Sequence, residues 1–188
     1  MVYDDLKIAI ERRKRLKAEY KLKKEIEWKE FSIANQILIS LPNQVIEMER
    51  SVIEKRYRKG EQEITGFFMP NKESDFLFYF RNTSVLLPET DEELRDSMES
   101  VIMRTQPANV FHSKGREKTE KSTVSWFDFD SFGLDGKIYN FLFFCPIWTK
   151  ESVLIGSFHC REEAALYWKP VYRRSIQSIK ELEKTDES

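Results

Sequence analysis

The run from Lys137 to Trp148 is the part of this 188-residue sequence that most constrains the fold. Large apolar side chains occupy both of its alternating sets of positions. One set is Tyr139, Phe141, Phe143, Cys145 and Ile147, and the other is Ile138, Leu142 and Phe144. Successive side chains of a strand point to opposite faces of a sheet, so protein must cover both faces here. The run therefore predicts a strand near the centre of a sheet.

Two further strand-like runs flank this one. The run Thr123–Phe132 is joined to it through a short segment that contains Gly133 and Gly136, and these glycines permit the positive φ of a tight hairpin loop. The run Ser152–Cys160 follows after the polar segment Thr149–Glu151, which has the length of a hairpin loop. The sequence thus predicts three consecutive antiparallel strands, a meander.

A helix is predicted after the meander, from Tyr167 to Leu182. The polar segment from Arg161 to Glu163 opens it, and Pro170 indicates a break or a fresh first turn. Its apolar residues recur at helical spacing and are Leu166, Trp168, Val171, Tyr172, Ile176 and Ile179. Such a helix has one face to bury, and we expect it to pack on the sheet.

The preceding part of the chain mixes strand and helix patterns. The predicted elements are a strand pair or one bent strand over Trp28–Leu41, a helix over Gln44–Arg58, strands over Ile64–Met69 and Asp75–Val85, a helix over Glu92–Thr105 with Thr90 or Pro88 near its cap, a short strand over Asn109–Ser113, and a solvated polar loop or hairpin over 113–122. Strand pairs with helices between them predict an α+β fold on a twisted antiparallel sheet, because an α/β fold alternates strands and helices singly.

The length and the charge limit the domain organisation. A chain of 188 residues suits one well-buried core, so we expect a charged N-terminal helix over 1–28, a single α+β domain over 29–183 and a disordered tail over 184–188. The 31 Lys and Arg residues nearly balance the 32 Asp and Glu residues. No global field therefore draws the protein to nucleic acid or to an anionic membrane.

The N-terminal segment is the one local charge anomaly. Residues 3–28 contain no Gly or Pro and predict a helix, and eight basic residues stand against the single acid Glu19 between Arg12 and Lys24. A helix with so narrow an apolar stripe buries little alone, so we expect another chain, such as a second copy, to cover it. The predicted partner-binding residues are Leu6, Ile10, Arg12, Arg13, Leu16 and Tyr20. The alternative is that the basic run binds nucleic-acid phosphates.

The apolar runs, the N-terminus and the two cysteines all bear on the cellular compartment of the protein. No run reaches the ~18 apolar residues of a membrane helix, and the N-terminus lacks the apolar core of a signal peptide, so the sequence predicts a cytoplasmic protein. With a turn near Lys150 and Glu151, Cys145 would lie opposite Gly156 and Cys160 opposite Phe141. We therefore expect two free, buried thiols.

Acidic residues of the meander suggest a cation site only weakly. Asp128, Asp130 and Asp135 contain the D-x-D fragment of a calcium loop, but the glycine and the closing glutamate of that loop are missing. Alternating Phe and Asp residues are typical of a strand with one face in water, and this is the reading we adopt for the run. No metal is expected.

Histidine and cysteine also give no recognisable catalytic or zinc motif. His159 and Cys160 are neighbours on a predicted strand and must point to opposite faces, and a pairing of Cys145 with His112 has no support from spacing. Phosphate-binding glycine loops and the common hydrolase and protease motifs do not occur. The sequence predicts neither an enzyme nor a cofactor.

Several positions in the last third resemble the DcrB/PsbP-like superfamily. They are Leu154 to Cys160, Trp168, Pro170 and Ser175 to Ile179, which are similar to the last strand and C-terminal helix of that superfamily. Phe31 to Ile33 and Ile39 to Pro42 look like its opening strand, so the resemblance covers about residues 30–182. The chain departs from the exported members in its basic N-terminal segment and in lacking an export signal.

The resemblance implies a fold and a tendency rather than a ligand, and no site residue is carried over. Members are mostly non-enzymatic binding or assembly factors, and cytoplasmic ones include chaperones for secreted proteins. We therefore expect a non-catalytic cytoplasmic protein-binding factor, such as an adaptor or chaperone for a secreted or assembled partner. Nucleic-acid association through the basic N-terminal helix is the alternative.

Overall fold

The computed structural model describes residues 26–57, 63–71, 73–82, 90–133, 136–147 and 152–182. The strands are β1 (Trp28–Ile33), β2 (Ile37–Pro42), β3 (Ile46–Glu47), β4 (Ile64–Phe68), β5 (Ser74–Asn82), β6 (Val110–Lys118), β7 (Thr123–Gly133), β8 (Gly136–Ile147), β9 (Ser152–Arg161) and β10 (Lys180–Glu181). The helices are α1 (Arg50–Arg56), α2 (Asp91–Thr105) and α3 (Ala165–Gln177), and a 3₁₀ turn over Glu162–Ala164 leads into α3. None of the helices in these ranges is long and apolar enough to cross a membrane.

Seven of the strands form one antiparallel sheet in the order β3-β4-β5-β9-β8-β7-β6. A second antiparallel sheet of three strands has the order β1-β2-β10. The predicted meander is confirmed as β7-β8-β9, and β8 lies inside the sheet between the other two. The α+β fold class is confirmed as well.

Two layers cover the seven-stranded sheet, and each sheet face is named here after its longer helix. On the α3 face, α3 and the three-stranded sheet enclose the larger core, to which β8 contributes Tyr139, Phe141, Phe143, Cys145 and Ile147. On the α2 face, α2 packs over a smaller cluster that includes Leu94 and Phe144. The two-sided burial that the alternation in β8 predicts is therefore confirmed.

The N-terminal predictions are confirmed in one place and corrected in another. The strand pair over Trp28–Leu41 is β1 and β2, joined by a turn in which Ala34 and Asn35 have positive φ. The helix expected over Gln44–Arg58 is limited to α1. Residues before it bond to β4 instead, since β3 pairs with that strand and the Met48 amide donates to the Gly66 carbonyl.

Strand β6 extends into the segment that we expected to be a polar hairpin or loop, and the segment forms a hairpin with β7. It continues to Lys118, which pairs with Thr123 of β7, so the loop shrinks to the residues between them. The polar side chains of β6 have partners on distant helices: Lys114 bonds to Asp96 and Glu99 of α2. These partners stabilise an edge strand whose own sequence has little strand character.

The C-terminal helix also differs from its prediction. It ends at Gln177, and the chain then turns so that Lys180 pairs with Leu38 of β2. Pro170 does not open the helix, because α3 already begins at Ala165 after the 3₁₀ turn, and it does not break the helix, which continues to Gln177. Leu166 is 66% exposed and does not belong to the buried stripe. The predicted strand over Asp75–Val85 is β5, and residues 83–85 lie outside the described residues.

Candidate functional site

A groove of about 1150 Å³ lies between α3 and the neighbouring ends of β6, β7 and β8. We call it the α3 groove. The strands supply His112, Asp128, Asp130 and Tyr139, and the helix supplies Leu166, Lys169, Pro170 and Arg173 among others. It brings together strand residues and helix residues that are far apart in the sequence, so its composition depends on the fold.

The first carboxylate of the groove, Asp128, is fully buried and fully bonded. The Ser113 amide and hydroxyl donate to its Oδ1 over 2.8 and 2.7 Å, and the Tyr139 hydroxyl donates to its Oδ2 over 2.6 Å. Lys169 Nζ lies 2.5 Å from the same Oδ2. Burial alone would raise the pKa of Asp128, but the hydrogen bonds from Lys169, Tyr139 and Ser113 outweigh it and lower the pKa.

The second carboxylate, Asp130, is equally hidden but poorly bonded. Its residue exposure is 5%, and its Oδ2 lies 3.0 Å from His112 Nε2. Its Oδ1 is buried and has no hydrogen-bond partner among the described residues. His112 sits at a register shift in β6, which directs its imidazole toward the groove, and its side chain is 40% exposed.

The burial of both aspartates corrects the prediction that this side of β7 faces water. Val124, Trp126, Asp128 and Asp130 lie on the α3 face, while Phe127 and Phe129 pack under α2. Helix α3 covers the aspartates and brings the cation Lys169 to Asp128, which allows a carboxylate to be buried there. Asp135 lies outside the described residues.

Exposed apolar side chains lie beside this polar floor. Leu166 projects from the first turn of α3 and is 66% exposed. Phe132, two residues beyond Asp130 on the same side of β7, is 59% exposed, and Val110, which pairs with Asp130 across the ladder, is also exposed. We call Val110, Phe132 and Leu166 the apolar rim.

The basic side chains along the groove already have partners. Lys169 is paired with Asp128, and Arg173 Nη2 lies 2.5 Å from Glu117 Oε1. Arg174, at the far end of the helix, stacks over the Trp28 ring at 4.6 Å from its centroid. These contacts leave the acidic groups Asp130 and Glu162 as the groove charges to which the structure gives the fewest partners.

His159 belongs to a separate polar chain on the α2 face. Its Nδ1 lies 2.9 Å from Asn140 Oδ1, and its Nε2 lies 2.9 Å from Ser157 Oγ. Burial lowers the pKa of His159 to about 4, so the ring is neutral at pH 7. Asn140 Oδ1 only accepts, so the proton is on Nδ1 and the Ser157 hydroxyl donates to Nε2.

The cysteines are free and buried, as expected, but their register differs. Cys145 lies opposite Leu154 and Cys160 opposite Tyr139, rather than opposite Gly156 and Phe141, because Ile147 of β8 pairs with Ser152 of β9. Burial raises the pKa of each thiol to about 12, which keeps both protonated. Cys160 packs on the α3 face and His159 on the other, as predicted.

The remaining catalytic and metal candidates are not brought together. His112 bonds to Asp130, whereas the thiol of Cys145 lies by Ser122 and the Pro146 carbonyl, so these two residues form no pair. Within the described part of the chain, no three His, Cys, Asp or Glu side chains converge on a point that a metal ion could occupy.

The partner-binding residues proposed from the sequence lie outside the described residues. They are Leu6, Ile10, Arg12, Arg13, Leu16 and Tyr20, and their role remains a hypothesis. The α3 groove was not predicted. A signal for it was present: two aspartates in an apolar strand, and Lys169 and Arg173 one turn apart on a helix that must cover that strand.

Comparison with solved structures shows what the fold resembles. PsbP (CyanoP) of Synechocystis sp. PCC 6803 is 7% identical over 86% of this chain and 96% of its own, with a TM-score of 0.59. The Ran-binding protein Mog1p of Saccharomyces cerevisiae is 8% identical over 83% of this chain and 96% of its own, with a TM-score of 0.51. PA94 of Pseudomonas aeruginosa, a protein of unknown function, is 12% identical over 80% and 94%, with a TM-score of 0.50.

These matches confirm, at the level of the fold, the resemblance to the DcrB/PsbP-like superfamily. No protein family model matches the sequence, and no curated protein matches it.

Proposed function

We propose that this protein is a non-catalytic protein-binding factor that holds its partner in the α3 groove. The observation that carries the proposal is the apolar rim beside a polar floor. Large apolar side chains next to satisfied and unsatisfied polar groups are typical of a surface that another polypeptide covers. Mog1p, which has a similar fold, is described as a Ran-binding protein, and this supports a protein as the partner.

The finer parts of the proposal come from the sequence. We propose that the protein acts in the cytoplasm as an adaptor or chaperone for a secreted or assembled partner, and that its N-terminal segment contributes a second contact or a dimer contact. The groove favours a protein partner over nucleic acid, because Lys169 and Arg173 are already paired with carboxylates and are less available to phosphates.

The geometry around Ser157 supports a non-catalytic role. Ser157, His159 and Asn140 have the hydrogen-bond order of a catalytic triad. However, Ser157 pairs with Leu77 on one side and Leu142 on the other, so the strand amides beside its hydroxyl belong to the two ladders and cannot form an oxyanion hole. We expect a fluorophosphonate probe to leave Ser157 unlabelled, and labelling at this residue would contradict the proposal.

The test compares partner capture by matched variants of the full chain. Leu166→Asp places a charge on the apolar rim, whereas Met103→Asp places one on a comparably exposed residue of α2, away from the groove. We expect quantitative affinity purification from the native host to lose the main partner with Leu166→Asp and keep it with Met103→Asp. Equal capture by both variants would exclude the groove as the binding site.

A gel shift at low and at moderate salt tests the alternative. Tight binding of single- or double-stranded nucleic acid that charge reversal at Arg12, Arg13, Lys14 and Arg15 abolishes would favour the nucleic-acid function instead.

A further inference from the structure

We propose that the α3 groove binds an arginine or lysine side chain of the partner polypeptide, with Asp130 as its anchor. The inference rests on the proposed function, because it names the chemistry of the partner at the same groove. It begins from the difference between two aspartates that lie two residues apart on one strand.

Burying a carboxylate is costly unless hydrogen bonds replace its lost hydration. Asp128 has donors from Ser113, Tyr139 and Lys169. Asp130 has the partly exposed imidazole of His112 on one oxygen and nothing on the other. Buried polar atoms without a partner are rare in folded proteins, and at the wall of a groove such an atom indicates a missing donor.

Helix α3 contains a second acceptor that lacks its usual donor. Pro170 has no N–H, so the Leu166 carbonyl one turn earlier lacks the donor that a helix normally supplies. Leu166 and Pro170 both line the groove, so the residue whose carbonyl lacks this donor is part of the groove wall. Two acceptors fit a ligand that only donates, and guanidinium and ammonium groups only donate and also carry the charge that pairs with a carboxylate.

The charges around the two acceptors agree with a cation. Lys169 and Arg173 are neutralised by Asp128 and Glu117, so they do not repel an incoming positive group as free cations would, and Arg174 lies over the Trp28 ring at the far end of the helix. Glu162 and Glu163 line the groove just before α3 and offset the positive end of the helix dipole. The groove therefore favours a positive charge next to Asp130.

The apolar rim indicates a side chain on a polypeptide rather than a small cation. The stems of arginine and lysine are apolar and pack along exposed apolar residues while their charged ends bond elsewhere. Leu166 is exposed and available for that packing. Phe132 has Lys137 Nζ over its ring at 5.7 Å from the centroid and is still 59% exposed, so it can contact the apolar neighbours of the basic residue.

Entry of the basic group requires a small adjustment, because Asp130 Oδ1 is closed to solvent. Rotation of the carboxyl group about its last side-chain bond is a soft motion. Displacement of the partly exposed His112 ring is the other route.

The experiment uses fluorescence anisotropy with the full chain and a labelled 12-residue peptide that carries two arginines among leucine and serine. A peptide with glutamine at both arginines is the matched probe. We expect the arginine peptide to bind, the glutamine peptide to bind at least tenfold more weakly, and Asp130→Asn to weaken the arginine peptide at least tenfold. Glu47→Gln, an exposed carboxylate away from the groove, should change the affinity less than twofold.

A second variant keeps the test decisive if Asp130→Asn folds poorly. Pro170→Ala restores the N–H that bonds to the Leu166 carbonyl, so it should weaken the arginine peptide severalfold without lowering the melting temperature. Because the chain has only two histidines, carbon-13 NMR supplies a local readout. The His112 signal should move on addition of the arginine peptide, and the His159 signal on the opposite face should not.

The contrary outcomes are distinct. Unchanged affinity in both Asp130→Asn and Pro170→Ala would overturn the inference, as would free arginine amide competing as well as the peptide. If the arginine peptide binds only after Arg12, Arg13, Lys14 and Arg15 are changed to glutamine, the occupant is the chain's own basic segment, and the partner assignment is wrong.

If Leu166→Asp loses the natural partner and Asp130→Asn keeps it, the inference fails and the proposed function stands. If neither variant loses it, the proposed function fails.

Discussion

The two faces of the seven-stranded sheet are each covered by one long helix, but the two helices bury different side chains. Helix α3 buries Trp168, Val171, Tyr172, Ser175 and Ile176, and the rings of Trp168 and Tyr172 contact aromatic residues of the sheet. Helix α2 buries Leu94 and Arg95 and is joined to the edge strand β6 by ion pairs from Lys114 and Arg116.

The difference shows that one sheet can be closed by two kinds of interaction with unequal contributions. Apolar burial on the α3 face contributes most of the stability, and it depends little on salt. Exposed ion pairs such as those between α2 and β6 contribute less, and salt screens them. We therefore expect the α2 side to open first and the α3 side to hold the groove in place.

The largest effect should come from removing a central ring on each face. Phe158 and Phe127 are both fully buried on interior strands, which makes them a matched pair. The rings around Phe158 are Phe76, Phe78, Phe141, Phe143 and Tyr172. The rings around Phe127 are Phe111, Phe129 and Phe144. We expect each change to alanine to lower the free energy of unfolding by about 3–5 kcal/mol, with Phe158→Ala at the upper end.

Urea denaturation followed by circular dichroism measures both losses. If the two changes lower the free energy of unfolding by the same amount, the two faces are packed equally well, and the difference between them that we describe is wrong.

The second effect should come from adding a methyl group where the packing leaves little space for it. A Cβ at Gly156 would overlap the Phe143 ring on the α3 face, whereas one at Gly66 would lie 3.0 Å from the flexible side chains of Leu77 and Met48 on the other face. We expect Gly156→Ala to lower the melting temperature strongly, with a loss of stability of about 1–3 kcal/mol, and Gly66→Ala to cost less. Calorimetry measures the melting temperatures of the two variants. A larger decrease for Gly66→Ala than for Gly156→Ala would show that the α3 face adapts more easily to an added methyl group.

Acid should weaken the α2 face through His159. Its pKa is about 4 in the folded protein and 6.5 without burial, so below pH 6.5 the unfolded chain binds the proton more readily. Stability should therefore fall as the pH drops from 6.5 to 4. Allowing for partial exposure of the ring, we expect the wild type to lose about 1–2 kcal/mol more than His159→Gln between pH 7 and pH 4.5.

Denaturation of both proteins at both pH values gives this difference directly. The contributions of the other acid-sensitive groups cancel, because both proteins contain them. Parallel losses in the two proteins would show that His159 does not couple the α2 face to pH.

The smallest effect should come from the ion pairs of α2. Lys114 lies 3.1 Å from Asp96 and 2.8 Å from Glu99, and all these contacts are near the surface. We expect Lys114→Met to cost at most about 1 kcal/mol, and the cost to shrink in 1 M sodium chloride. Hydrogen exchange of α2 amides with and without salt would sharpen the comparison, and a salt-independent effect would point to packing of the lysine stem instead.

The sequence predicts one part of this molecule well and another poorly, and the reason is where the partners of each residue lie. The strand β8 could be found because its apolar residues occupy both alternating sets, a pattern contained in the strand itself. The end of β6 could not, because the groups that stabilise Lys114 and Glu117 lie on α2 and α3.

The α3 groove shows the same limit at the candidate site. The sequence contains Asp128 and Asp130, but it does not show that Lys169 pairs with Asp128 while one oxygen of Asp130 accepts no hydrogen bond. That asymmetry depends on where α3 crosses the sheet, and no local pattern encodes it.

The order of strands across the sheet has a kinetic consequence. Strands β6, β7, β8 and β9 are neighbours both along the chain and in the sheet. Their pairing requires only short loops to close, and the entropy cost of closing a short loop is small. The pairings of Ser74 with Cys160 and of Lys180 with Leu38 join parts of the chain that are far apart in sequence, and their closure entropy is larger. We expect the meander to form the early folding nucleus, and docking of β10 onto β2 to be a late step that completes the core.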